Sequence, residues 1–297
     1  MTDPVMMAQL RGGAGIFAAL DQSGGSTAAT LESYGISEDC WTDDEQMFDH
    51  IHQMRVRVMA APSFTGRSVL AAILFEDTMN READGQPVPG YLSRRGIASF
   101  LKIDKGLEPE RDGVQLMRPL DDLDGLLGRA TSLGVVGTKM RSVIRRLDPV
   151  GIAAVVEQQF RLAERVIDAG LLPILEPEVS IGAPNRVEAE RTLVEEIADR
   201  LDALTGRHQV MLKLTIPQRP DTYAPLVAHD RVARVLALSG GYSRVEACAR
   251  LSTNHGLIAS FSRALLNGLR YSMDDVVFDR ALGDSIAQIH AASTFKC

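Results

Sequence analysis

Residues 134–180, GVVGTKMRSVIRRLDPVGIAAVVEQQFRLAERVIDAGLLPILEPEVS, carry the pattern on which the fold turns. A short apolar run, Gly134–Thr138, precedes a longer segment in which Ile152, Val155, Val156, Phe160, Ala163, Val166 and Ile167 recur at helical period. Gly170 ends that segment, and a second apolar run, Leu172–Leu175, follows. Strand, helix, strand is the expected reading. Near-continuous apolar strands separated by helices imply a parallel sheet covered by those helices.

The same rhythm extends in both directions. Further runs of strand length are Gly15–Leu20, Ala71–Phe75, Ser99–Ile103, Gln209–Leu212, Arg234–Leu238 and Gly256–Ala259. Helices are expected between them. Thr42 with Glu45 reads as a capping box ahead of Met47, Ile51, Met54 and Val58. Val194, Ile197, Leu201 and Leu204 share one face, and Val245–Leu251, Phe261–Leu269 and Met273–Ala291 are further helix candidates. Asn80–Arg95, with Gly85, Pro87, Pro89 and Gly90, reads as an ordered loop. Eight strands suit closure into a (β/α)8 TIM barrel, a single α/β domain at 15–297 after an N-terminal segment at 1–14; an open doubly wound sheet is the alternative.

Composition limits the function classes. The chain has 297 residues, enough for one barrel without staples. A net charge of −7 gives no general attraction to nucleic acid or anionic membrane. An anionic substrate must therefore meet locally placed cations and backbone N–H groups. The three cysteines, Cys40, Cys248 and Cys297, are far apart and lack metal-ligand spacing, so free thiols in a reducing compartment are expected. Met1–Leu10 holds no secretory core, and no run approaches a membrane span. A cytoplasmic protein with a small-molecule substrate and no cofactor is expected, and a homo-oligomer is left open. The six histidines are scattered with no HExxH, and neither a Walker A run nor GxGxxG occurs.

Barrel chemistry gathers at the carboxyl ends of the strands. Those positions hold Asp21, Ser23 and Ser26 after the first run and Lys102, Asp104 and Lys105 at the third. Lys139 and Arg141 follow the fourth run, Glu176 and Glu178 the fifth, and Lys213 the sixth. Ser239, Gly240 and Gly241 follow the seventh, and Ser260 and Arg263 the eighth. A lysine inside an apolar run is expensive to bury unless paired or used. Taken singly, Lys213 could reach solvent, Glu176 could be a structural ion-pair partner, and each Gly–Gly stretch could be a plain tight turn. Taken together, two lysines and a glutamate from adjacent strands suit carbonyl attack by an amine. Repulsion from Lys139 and desolvation would favour the neutral Lys213, and Glu176 could carry the protons. Ser239-Gly240-Gly241, ahead of a helix, could offer backbone amides to an anion, and Arg263 a bidentate contact. A second such loop, Ser23–Ser26, suggests a substrate with two phosphates.

The motifs AALDQSGGS, ILFEDTMNREADGQPVPGYL, LKIDKG, GTKMR, PILEPEVSI, VMLKLTIP, LSGGYS and SFSRALL, in this order from about Gly15 to Lys296, resemble class I fructose-bisphosphate aldolase of the shorter bacterial type. The resemblance implies a (β/α)8 barrel that reversibly cleaves fructose 1,6-bisphosphate through a lysine Schiff base, without metal, in glycolysis or gluconeogenesis. It implies Lys213 as the Schiff-base lysine, Glu176 as general acid/base, and Lys139 as the lysine assisting carbinolamine formation. Arg141 corresponds to a substrate-binding arginine, and Asp21 to the aspartate acting on the hydroxyl beside the cleaved bond. Lys102, Ser23 and Ser26 match contacts to the C6 phosphate; Ser239, Gly240 and Arg263 match contacts to the C1 phosphate. Three departures stand out. Ala29 occupies a place where many relatives carry lysine, which leaves open a related Schiff-base aldolase for another phosphorylated ketose. Serine, at Ser262, replaces a customary glycine ahead of Arg263. The chain ends Phe295-Lys296-Cys297 where longer animal members end in a mobile tyrosine.

Overall fold

The computed structural model describes residues 4–206 and 208–297; the first three residues of the expected N-terminal segment, and Arg207, lie outside the described residues. Eight parallel strands close into a barrel: β1 (Ile16–Leu20), β2 (Val69–Leu74), β3 (Ala98–Lys102), β4 (Gly137–Ile144), β5 (Leu172–Val179), β6 (Val210–Thr215), β7 (Val232–Leu238) and β8 (Leu257–Phe261). Each pairs with its sequence neighbours, and closure is made by β1 with β8, Phe17 aligning with Ser260. A two-residue strand, Val114–Gln115, adds an antiparallel rung to β4.

Every strand is buried on both faces, which is why it reads as an apolar run rather than an alternation. Inside, Phe17, Ile73, Phe100, Ile174, Met211, Leu236 and Ile258 form one cluster. Outside, residues of the opposite parity, such as Ala18, Leu212 and Ala259, pack under the helices. The helices in chain order are α1 (Pro4–Gly12), α2 (Gly25–Tyr34), α3 (Asp44–Ala60), α4 (Glu76–Asn80), α5 (Val88–Arg94), α6 (Leu123–Ser132), α7 (Pro149–Asp168), α8 (Arg186–Ala203), α9 (Ala224–Val227), α10 (Arg244–Ser252), α11 (Arg263–Leu266) and α12 (Asp275–Thr294), of which α3, α7, α8, α10 and α12 make most of the shell. A short N-terminal helix, Pro4–Gly12, seats Leu10 in the interior cluster at the barrel's N-terminal face.

Gly137 shows how tightly the interior is filled. A Cβ built there would lie 2.1 Å from the Leu172 carbonyl oxygen and 2.4 Å from Phe100 Cε1. The β4–β5 ladder at this register cannot widen locally, so Gly137→Ala is expected to lose about 1–3 kcal/mol of stability by overpacking, read from urea unfolding. An unchanged midpoint would contradict that packing.

Four expectations change. The strand expected at Gly134–Thr138 begins at Gly137 and runs on to Ile144, and β5 and β6 likewise extend past Leu175 and Leu212. Charged residues ended the apolar runs in the sequence; in the barrel they continue the strands, because the opposite charge waits inside. The N-cap of α3 is Asp43, not Thr42: its side chain accepts from Gln46 N at 2.9 Å, and Gln46 Oε1 accepts from Thr42 N at 3.0 Å. The box exists, one residue later, with Gln46 in the part assigned to Glu45.

Asn80–Arg95 is not a loop. It contains a hairpin, Glu82–Ala83 with Gln86–Pro87, and a helix at Val88–Arg94. Asp84 and Gly85 both have positive φ, the conformation an Asp-Gly hairpin turn requires. Finally, Phe261 belongs to β8, and the expected helix Phe261–Leu269 shrinks to Arg263–Leu266.

Candidate active site

Alternation along the strands places the polar groups. Phe17 and Ala19 of β1 face the interior, so Asp21, two residues on, continues that face at the carboxyl end. Phe100 leads likewise to Lys102, Ile174 to Glu176 and Met211 to Lys213. Lys139 aligns with Ile174 and Arg141 with Glu176 in the β4–β5 ladder, which carries both onto the same inner face. The fold thus gathers five strands' charges in the barrel mouth without any loop arranging them.

The charges meet in a chain. Lys213 Nζ lies 2.9 Å from Glu176 Oε1, and Lys139 Nζ lies 2.9 Å from Glu176 Oε2. Lys139 also stands 2.6 Å from Asp21 Oδ2 and 3.8 Å from Asp104 Oδ2. All are buried: Lys213, Lys139, Glu176 and Asp104 are each 5% exposed or less. The sequence reading set Lys139 against Lys213 as bare like charges. In the structure Glu176 lies between them and touches both, so the carboxylate screens that repulsion.

Burial alone would raise the Asp21 carboxyl. The ammoniums of Lys139 and Lys213, with Lys102 further off, outweigh burial and hold Asp21 well below the usual carboxylate range. Glu176 is likewise lowered: burial opposes ionisation, and Lys139 and Lys213 overcome it. Lys139 is pushed down by burial but held above the ordinary lysine range by Asp21, Glu176 and Asp104. The Lys139 cation is therefore fixed, and both carboxylates beside it are ionised at neutral pH.

A cavity of about 780 Å³ opens above these groups. Among the expected site residues, Asp21, Ser23, Ser26, Lys102, Lys139, Arg141, Glu176, Lys213, Ser239, Gly241 and Arg263 line it. Glu178, Gly240 and Ser260 do not. Glu178 Oε2 accepts from Arg141 Nε at 2.6 Å and so holds that arginine from behind. Ser260 is buried on β8, its Oγ without a hydrogen-bond partner among the described residues. A Cβ built on Gly240 would meet Ile181 Cγ2 at 2.7 Å and Thr215 Cγ2 at 3.1 Å.

The Ser239–Gly241 turn lies ahead of a helix, as expected, without forming that helix's first turn. Helix α10 begins at Arg244, capped by Ser243, which accepts from Glu246 N at 3.3 Å. Gly240 and Gly241 instead take φ of +62° and +115°, which L side chains rarely adopt, and this turns the chain sharply at the rim. A Cβ on Gly241 would stand 3.9 Å from Arg263 Nη2. The guanidinium from the β8 end and the glycine turn from the β7 end therefore sit side by side. Across the mouth, Ser26 Oγ donates to Ser23 O and accepts from Ser23 N, closing a small loop, with Ala29 and Thr30 also on the cavity wall.

Sequence reasoning gave no role to several supports. Asp104 pairs with Lys102 Nζ at 2.7 Å and accepts from Arg141 N at 3.2 Å, tying β3 to β4. Arg55 of α3 is completely buried; it donates to Gln22 O at 2.5 Å and Thr78 Oγ1 at 2.8 Å, fixing the chain just after Asp21. Burial lowers Arg55 to about 10 against the pull of Asp21 and Asp77. The signal was present: Arg55 falls on the same helical face as Ile51 and Val58, where an arginine needs a buried partner.

The tail does not approach this mouth. Lys296 caps carbonyls at Leu251, Leu257 and Ala292 on the opposite, N-terminal side of the barrel. No helix among the described residues is long and apolar enough to cross a membrane.

Comparison with known proteins gives the following. A sequence model of the family described as glycolytic fructose-bisphosphate aldolase class-I matches residues 5–221. The chain is similar to a fructose-bisphosphate aldolase class 1 of Synechocystis sp., 52% identical over 280 residues, covering 94% of this chain and 93% of that one. In fold it resembles the fructose-bisphosphate aldolase of Plasmodium falciparum, seen in complex with TRAP and a small-molecule inhibitor, at TM-score 0.78 and 20% identity over 99% of this chain and 94% of that one. A Corynebacterium glutamicum protein shares the fold more loosely, at TM-score 0.56 and 13% identity over 98% of this chain and 92% of that one.

Proposed function

Because the chain belongs to the class I fructose-bisphosphate aldolase family, we propose that Lys213 is the amine that forms its Schiff base. The reaction is the reversible cleavage of fructose 1,6-bisphosphate into dihydroxyacetone phosphate and glyceraldehyde 3-phosphate, independent of metal. The observation that carries the assignment is the Lys213–Glu176–Lys139 chain at 2.9 Å per link, buried at the floor of the cavity.

The steps follow from the geometry. Glu176 Oε1 is within reach of the Lys213 ammonium, so it takes the proton that frees the amine. The amine attacks the C2 carbonyl, the fixed Lys139 cation stabilises the oxyanion that forms, and one N–H proton of the new ammonium nitrogen passes to that oxygen to give the carbinolamine hydroxyl. Glu176 returns a proton to the departing hydroxyl, water leaves, and a protonated imine remains on Lys213. Asp21, ionised and anchored on Lys139, accepts the C4 hydroxyl proton. The C4 aldehyde forms, the C3–C4 bond breaks, and its electron pair moves into the iminium, giving an enamine. Protonation at C3 and hydrolysis free the second product and regenerate the amine. The iminium is the electron sink that a metal would otherwise supply.

Substrate ends are proposed to sit on the two rims. The C1 phosphate lies at the Ser239–Gly241 turn beside Arg263, and the C6 phosphate near Ser23, Ser26 and Lys102. Hydrogen bonds to charged groups are worth about 1.5–3 kcal/mol, so Arg263→Ala should raise KM about 10- to 150-fold with a smaller change in kcat. Steady-state kinetics decide this, and an unchanged KM would remove Arg263 from the phosphate site. The function itself is tested by coupled turnover in EDTA: one equivalent of each triose phosphate is expected per fructose 1,6-bisphosphate, at a rate the chelator does not alter.

A further inference from the structure

The N-terminal face of the barrel, opposite the catalytic mouth, holds a second cavity of about 430 Å³. Its walls come from the segment entering β1, the first residues of β7 and β8, and the end of α12. Three cations line it: Arg11, Arg234 and Lys296. No carboxylate lines it among the described residues, although the chain as a whole carries a net charge of −7.

The partners of these cations are incomplete in a specific way. Arg234 donates to Arg11 O at 2.6 Å and Gly13 O at 3.0 Å, while its buried Nε has no partner. Lys296 donates to three carbonyls, Leu251, Leu257 and Ala292. Those bonds staple the termini to the barrel but supply only partial negative charge. Neither cation has a carboxylate within ion-pair distance among the described residues, whereas Lys139, Lys213 and Lys102 at the other face all do. Arg234 is lowered by burial, and Lys296 is pushed down to about 8 by burial and then by the like charge of Arg234. Asp221 and Cys297 oppose this only at a distance, and Asp221 is already engaged by His255, whose backbone N–H donates to it at 2.7 Å. Half-buried like charges facing one cavity lack an anion more than anything else.

We propose that this cavity is a second anion site that takes a phosphate dianion, free or as a phosphomonoester, between Arg234, Lys296 and Arg11. The guanidinium N–H groups of Arg11 and those of Arg234 not engaged by the Arg11 and Gly13 carbonyls are its donors, Lys296, whose three N–H groups are taken by carbonyls, contributes charge, and Val235, Ile258 and Val227 form the apolar wall behind it. Binding would tie the N-terminal helix, β7 and the C-terminal tail together at a point remote from the chemistry. The proposal does not depend on the catalytic assignment of Lys213.

The test is calorimetric titration of the full-length protein with inorganic phosphate and, separately, with phenyl phosphate. Wild type is compared with Arg234→Met, Lys296→Gln and Arg11→Ala. One class of site is expected to weaken at least tenfold in Arg234→Met and in Lys296→Gln, and less in Arg11→Ala, while aldol cleavage kinetics stay at wild-type values and so confirm folding. Equal affinities for both probes would assign the site to the phosphoryl group alone; tighter phenyl phosphate would assign it to monoesters. Lys296→Gln leaves the Arg234 staples intact and keeps the test open if Arg234→Met does not fold. Isotherms indistinguishable between wild type and the folded variants would overturn the proposal.

Discussion

Lys213→Ala is expected to lower kcat/KM for fructose 1,6-bisphosphate by about five orders of magnitude, near 7 kcal/mol of transition-state stabilisation at 1.36 kcal/mol per decade. Among the described residues of the cavity wall, the two other lysines do not replace it, and Lys102 is tied to Asp104 at 2.7 Å. Lys139 has an ammonium in the same mouth, but Asp21 and Glu176 hold it protonated, and a protonated amine has no lone pair to offer a carbonyl. The fold should survive. Glu176 loses one contact and keeps Lys139 at 2.9 Å, so no carboxylate is left alone. Unfolding midpoints close to wild type, alongside the lost turnover, would separate chemistry from structure. A variant cleaving at a tenth of the wild-type rate would end the assignment.

The second large effect concerns Lys139→Met. Here both stability and catalysis fall. The substitution leaves Asp21 and Glu176, 8% and 4% exposed, without the cation that links them. Removing one member of a buried ion cluster costs about 3–5 kcal/mol. The pH dependence should reverse. In the wild type both carboxyls are lowered, so their contribution is present above the ordinary carboxylate values near 4 and is lost as pH falls through their folded values. Without Lys139, Asp21 loses its ion pair and burial raises it, while Glu176 keeps Lys213 at 2.9 Å. Stability is then fuller below those ordinary values and declines as pH rises. Urea unfolding at pH 5 and pH 7 should show the variant gaining stability on acidification while the wild type does not. The loss of a fixed charge beside the developing oxyanion should also lower kcat about a hundred- to a thousandfold. Parallel pH profiles for the two proteins would refute this reading of the cluster.

The legibility of this fold in its sequence follows the burial of its strands. Runs such as Ala71–Phe75 and Leu172–Leu175 are apolar on both faces, and that signal placed all eight strands in order. It failed at their ends. A run was read as stopping at Lys139, Glu176 or Lys213, where the strand continues because each charge has a buried counter-charge on the neighbouring strand. Pairing across strands is not a local property, so no window along the chain reveals it. The Asp84-Gly85 hairpin was a local signal and was overlooked among the prolines around it.

The site was legible as a set of residues and not as a network. Asp21, Lys139, Glu176 and Lys213 could be named because each is a charge out of place in an apolar run. That Glu176 intervenes between the lysines, that Asp104 holds Lys102, and that Arg55 braces the chain after Asp21 all depend on distances only the closed barrel sets. Glu178, expected at the mouth with the other strand-end charges, lies behind Arg141 rather than on the cavity wall. The helix expected after the Ser239 turn, at Val245–Leu251, is present at Arg244–Ser252, but the turn's neighbour Arg263 comes from the next strand. In each case the residue was visible and its partner was not.

One bond decides the chemistry, the imine between substrate and the β6 lysine. Incubating the native protein with dihydroxyacetone phosphate, reducing with borohydride and mapping the modified peptide by mass measures it directly. A single adduct on Lys213, formed equally well in the presence of a chelator, is the predicted result. An adduct on Lys139 instead, or steady cleavage with no trapped lysine at all, would contradict it.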